Sequence, residues 1–143
     1  MTFRLFLSPY TQANKFNFSY LHLAFNPFIL NLETIRSYCL KLPQTTEGIK
    51  WGNDLCFMLA EKMYCVTGLT EPFSCSFKCT DEDFGMLTER PGIIPAPYMA
   101  RNKWVNVQDP SALSGQEWEH YIKNSFQLIL SKLPKKVRQT IDQ

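Results

Sequence analysis

Two histidines, five cysteines, one run of three acids and a scatter of cations are the side chains with which this 143-residue chain could do chemistry. A serine or cysteine nucleophile needs a nearby base, usually an imidazole, and the histidines are His22 and His120. On a helical wheel His120 falls about 200° from Trp118, off the apolar stripe, and reads as a solvated surface residue. Cys39, Cys56, Cys65, Cys75 and Cys79 are odd in number, contain no CxxC pair and sit among apolar residues, so they are expected to be reduced and buried in a cytoplasmic protein. Cys75 and Cys79 belong to a strand pattern, and no Cys/His spacing fits zinc. Asp81, Glu82 and Asp83 offer oxygen ligands for a hard cation, yet directly after Thr80 they occupy the first turn of a helix, whose dipole favours them. Ser125 lies within an apolar stripe, where its hydroxyl can bond the Tyr121 carbonyl and let another element approach. Neither GxGxxG nor GxxxxGK[ST] occurs. The expectation is a non-enzymatic protein with no catalytic residue, no metal and no cofactor.

The cations point to a different chemistry, the binding of anions. Net charge is +2 with fifteen Lys+Arg and thirteen Asp+Glu. Two of the cations, Arg4 and Lys15, lie near the N-terminus, so the chain from Leu32 onward is neutral and affinity for a polyanion must come from segregation. Lys132, Lys135, Lys136 and Arg138 cluster with only Asp142 opposing, and Arg101 and Lys103 stand beside the aromatic Trp104. A solvated helix end favoured by the dipole accounts for much of the first cluster, and phosphate contacts are the functional alternative.

The elements that must position these groups are legible from periodicity. With 45% hydrophobic and 20% charged residues the chain can build one core, and its length fits one domain. Residues 1–31 carry no acid and no sustained period, and read as a non-integral extension; polar breaks deny it the continuous apolar stretch of a secretory signal. No run of about 18 apolar residues exists, so no membrane segment is expected. Asn31 can cap a helix with Leu32, Ile35, Cys39 and Leu42 on one face, stopped by Pro43. Ile49–Trp51, Leu55–Leu59 and Met63–Val66 then form three short strands or one bulged pair, with Glu61-Lys62 at a hairpin tip. Phe73, Cys75, Phe77 and Cys79 alternate with polar residues, which turns both cysteines inward. Thr80 opens a short helix, three prolines make residues 90–100 an extended connector, and Lys103–Val107 alternates as a strand. Ser114 and Glu117 form a capping box for the longest helix, whose stripe is Trp118, Tyr121, Ile122, Ser125, Phe126, Ile129 and Leu133. After Pro134 a last short turn can pack Val137 and Ile141. Hairpin-length links between strands favour an α+β domain with an antiparallel meandering sheet backed by helices over a doubly wound parallel sheet.

Three segments taken together, LETIRSYCLKLPQTTEGIKWGNDLCFML, SFKCTDEDFGMLTERPGIIPAPYMARNKWVNV and EWEHYIKNSFQLILSKLPKK, resemble the MmcQ/YjbR family of small bacterial proteins over about Leu32 to Arg138. The PAPY segment, the aromatic strand at Lys103–Val107 and the Ser125-Phe126 helix ending in KLPKK carry the resemblance. It implies a fold similar to bacterial frataxin and a DNA-binding role for sheet and helices, and brings no catalytic residues. Where the family pattern often has His before the strand Trp, this chain has Lys103. Iron handling, which the frataxin likeness raises, would need clustered oxygen ligands, and the first helix offers only Glu33.

The functional expectation is therefore DNA binding, with Arg101, Lys103, Trp104, Lys132, Lys135, Lys136 and Arg138 as contact candidates. The alternative is a protein-interaction module without a nucleic-acid role that uses Trp51, Tyr98 and Trp104 as aromatic anchors.

Overall fold

A computed structural model of the chain describes residues 26–141. It opens with α1 (Pro27–Leu40), capped by Asn26, whose side chain accepts from the Phe28 amide at 2.8 Å. The expected cap, Asn31, is inside the helix: Asn26-Pro27 supplies both a capping carbonyl and the fixed φ that suits a first helical position, so the helix starts before the apolar period does. The boundary expected between residues 31 and 32 thus falls within α1, and the rest of the expected extension lies outside the described residues. Leu32, Ile35 and Cys39 are buried along one face as their spacing predicts. Arg36 on the same helix makes a two-pronged ion pair with Glu47, at 2.9 and 2.8 Å, which ties α1 to the first strand.

Six antiparallel strands follow: β1 (Thr46–Lys50), β2 (Asp54–Leu59), β3 (Lys62–Gly68), β4 (Cys75–Lys78), β5 (Ile93–Pro95) and β6 (Trp104–Val107). Their order in the sheet is β1-β2-β3-β4-β6-β5. The β2–β3 tip is Ala60-Glu61, one residue earlier than expected, with both φ angles positive (49° and 67°) as a two-residue hairpin turn that matches strand twist requires. The sheet contains both features left open by the sequence, three separate strands and a bulge: the register passes from Phe57↔Cys65 to Met58↔Met63 and skips Tyr64. The connector after Arg90 is extended, and three of its residues pair as β5 with β6, Ile93 opposite Val107 and Pro95 opposite Val105. Pro95 is tolerated because β5 is an edge strand.

Between β4 and β5 lies α2 (Asp81–Leu87), capped by Thr80 accepting from the Asp83 amide at 3.1 Å, with Asp81, Glu82 and Asp83 in its first turn. The long helix α3 (Gly115–Ser131) carries the predicted Ser114/Glu117 capping box, and α4 (Lys135–Ile141) follows Pro134 with Ile141 buried. α3 lies across β2, β3 and β4, and α1 packs beside it. Their shared core joins Phe77, stacked on Tyr121 at 5.8 Å, to Trp118, and Tyr64 meets Phe126 edge-on at 5.3 Å. The five cysteines are buried and unbridged, with the Cys65 and Cys75 sulfurs 3.6 Å apart. The fold is the expected α+β arrangement of an antiparallel sheet and helices. No helix among the described residues is long and apolar enough to cross a membrane.

Candidate nucleic-acid interface

Ser125 fixes the depth at which α3 meets the sheet. Its hydroxyl does not bond the Tyr121 carbonyl; it donates to the Tyr64 carbonyl at 2.6 Å and accepts from the Lys78 amide at 3.0 Å. Since Gly68 bonds Ser74 and the β3/β4 partners run Thr67↔Cys75, Val66↔Ser76 and Cys65↔Phe77, the alternation of an antiparallel ladder would make Tyr64 and Lys78 the next bonded pair. The bulge at Tyr64 opens that rung and the hydroxyl fills it. With both its donor and acceptor capacity engaged at full burial, Ser125 is a structural linker and not a nucleophile.

The same rung sets the position of Lys78. Alternation along β4 buries Cys75 and Phe77 under the helices and turns Lys78 to the opposite face, where its cross-strand partner is Trp104. The Lys78 ammonium bonds the Asn102 carbonyl. Asn102 closes a 3-10 turn (Ala100–Asn102), and Lys103 after it is left-handed at φ 62°. The Lys103 carbonyl accepts from the Cys79 amide at 2.9 Å, which pins the loop to the end of β4, while its ammonium lies 5.0 Å from the centre of the Phe84 ring. Burial lowers the Lys78 pKa, and the like charge of Lys132, arriving at the end of α3, pushes it the same way; Cys79 and Asp81 oppose the shift. Lys78 is thereby set beside the 100–103 turn, which carries Lys103 and the exposed Arg101, and within electrostatic reach of Lys132. Asp81 acts on Lys78, and Asp83 acts with it on the adjacent Cys79, so the acidic first turn of α2 offsets part of this charge.

Arg101 also lines a surface cavity of about 420 Å3 with Tyr98, Ala100 and Asn102. The Met99 amide bonds the Ala96 carbonyl at 3.1 Å across Pro97 and Tyr98. With proline second and φ 66° at Tyr98, this is a type II turn, whose third position ordinarily falls to glycine or asparagine. Tyr98 is fully exposed.

Of the seven expected contact residues, Arg101 and Lys103 lie on the turn that Lys78 bonds, and Lys132 lies within electrostatic reach of Lys78. Lys135 and Lys136 are exposed at the start of α4, directly beyond Lys132. Trp104, expected among the contacts, is a correction: it is 6% exposed within the sheet, so its ring is not available for stacking on a partner. Arg138 donates to the Ser131 and Leu133 carbonyls at 3.1 and 3.3 Å and so caps the end of α3. Lys78 was missed, although the alternation of its strand already turned it away from the core. His120 is exposed, with its ring edge-on to Tyr121 at 5.0 Å. Among the described residues no group of three or more His, Cys, Asp or Glu is placed to hold a metal ion.

Comparison with known proteins agrees with this architecture. The chain is similar to DR2400, a Deinococcus radiodurans protein with a DUF419 domain: TM-score 0.67, 23% identity, 76% of this chain and 86% of that one covered. It is also similar to a Pseudomonas syringae protein, with TM-score 0.57, 24% identity and coverage of 68% and 96%. No curated protein matches the chain. The YjbR family model matches residues 40–128, from the end of α1 to the last turns of α3. This protein belongs to the YjbR family.

Proposed function

We propose that this protein is a non-enzymatic DNA-binding protein that contacts phosphates with the basic end of its sheet. One observation carries the reading: in a chain that is neutral from Leu32 onward, β4, the β5–β6 loop and the end of α3 bring Lys78, Arg101, Lys103 and Lys132 to the same end of the fold. Lys135 and Lys136 extend the cationic surface along α4. The reading predicts weak, salt-sensitive affinity, because about four phosphate contacts should give a slope near −3 to −4 in a plot of log K against log salt. Fluorescence anisotropy of a labelled oligonucleotide between 50 and 200 mM salt tests it. Affinity should fall by about two orders of magnitude over that range; absence of binding at 50 mM removes the reading.

A protein-interaction role is favoured by a separate feature. Ile49 and Trp51 are 63% and 71% exposed on the edge strand β1 and its turn, far from Lys78 and the 100–103 turn. Partner binding there would be far less sensitive to salt.

A further inference from the structure

Tyr98 is held in a conformation that an L side chain adopts at a cost, and its ring gains nothing from the chain in return. The turn Ala96–Met99 requires φ > 0 at its third residue, where glycine would sit without strain, and the chain places a tyrosine there at φ 66°. Backbone strain of this kind persists where the surrounding structure enforces it and is found at ligand sites, and Tyr98 is fully exposed. Pro97, with its fixed φ, and the Ala96–Trp104 bond at 3.0 Å make the turn a rigid mount on the end of the β5–β6 hairpin. Tyr98 and Arg101 both line one surface depression, and Lys78 is bonded to Asn102, which lines it too.

From this geometry we infer that the β5–β6 loop is a binding site for an unpaired nucleotide, with the base stacked on Tyr98 and the adjoining phosphates on Arg101 and Lys78. The inference rests on the DNA-binding reading and narrows it to single strands. A base within a duplex has both faces occupied by its neighbours, whereas an unpaired base offers a free π-face to a protruding ring beside cations, and such stacking is tolerant of sequence. The depression of about 420 Å3 is open to solvent, so a nucleotide reaches it without rearrangement of the loop. Trp51 is also left-handed, at φ 53°, and exposed, but it lies at the other end of the sheet and serves as an internal control.

The test compares a labelled single strand with the duplex of the same sequence, at 50 mM salt, on the full chain and on Tyr98→Gly, Tyr98→Phe and Trp51→Gly. The single strand should bind more tightly than the duplex. Tyr98→Gly should weaken single-strand binding at least fivefold with little effect on the duplex, while its Tm stays the same or rises because the turn is relieved. Tyr98→Phe should retain affinity and Trp51→Gly should leave it unchanged. Equal binding of both forms, or a Tyr98→Gly variant that binds normally or is destabilised, overturns the inference and leaves the DNA reading standing. If neither form binds, the DNA reading fails and the inference with it.

Discussion

The Ser125 hydroxyl donates to the main-chain carbonyl of Tyr64 at 2.6 Å and thereby completes a rung that the β3 bulge leaves open. Removing it strands two groups, the Tyr64 carbonyl and the Lys78 amide, at the buried contact of α3 with the sheet. Ser125→Ala should therefore cost about 2 kcal/mol or more, a Tm drop of roughly 8 °C or beyond. Chemical denaturation of the two proteins measures this, and a loss below about 0.5 kcal/mol would show that the rung carries no weight.

The thiols provide a second test of packing. Cys39, Cys56, Cys65, Cys75 and Cys79 are all buried, and burial pushes the Cys56 and Cys79 pKa values up to about 11. Because all five are shielded from solvent, a colorimetric thiol reagent at pH 8 should label native protein slowly and all five cysteines at once in denaturant. A fast phase of one or more equivalents in the native state would contradict the packing.

Stability should depend on pH through Glu117. Its carboxylate accepts from Arg90 at 3.1 and 2.7 Å and from the Ser114 amide at 3.0 Å, and these bonds hold its pKa down to about 2. A depressed carboxylate contributes fully above its unfolded value, near 4.5, and the contribution is lost as pH falls toward 2. The pair is about one-third exposed, with side chains at 37% and 34%, so solvent screening limits its worth to about 1 kcal/mol. Glu117→Gln should be less stable than wild type by about that amount at pH 7, and the gap should close between pH 4.5 and 2. Urea melts across this range measure it; a gap that is constant with pH would mean the capping geometry matters and the charge does not.

Elements with a period or a cap were legible in the sequence, as the α3 stripe and the Ser114/Glu117 box illustrate. Periodicity misleads where local chemistry departs from it. Apolar spacing begins at Leu32 and points to Asn31 as the α1 cap, although Asn26-Pro27 is the stronger start signal. β5 is three residues long and ends on a proline, which left too little alternation to distinguish it from a connector. Trp104 looked available because strand alternation states which face a residue takes and not whether that face is covered. The charge patch was only half legible: the run after Lys132 is visible in the chain, but its approach to Lys78 depends on how α3 crosses β4. Tyr98 stood out as an aromatic residue, whereas its left-handed backbone emerged only from the turn that Ala96 and Met99 close.

Charge reversal at the basic end tests the central claim most directly. Arg101 and Lys132 are exposed and free of any structural ion pair shown among the described residues, so Arg101→Glu and Lys132→Glu should fold normally. Each should weaken DNA binding by about tenfold at 50 mM salt and flatten the salt slope by roughly one. Lys50→Glu, on the far edge strand, is the matched control and should leave both unchanged. If Lys50→Glu weakens binding as much as Arg101→Glu and Lys132→Glu do, or if none of the three matters, DNA is not held at this end of the sheet.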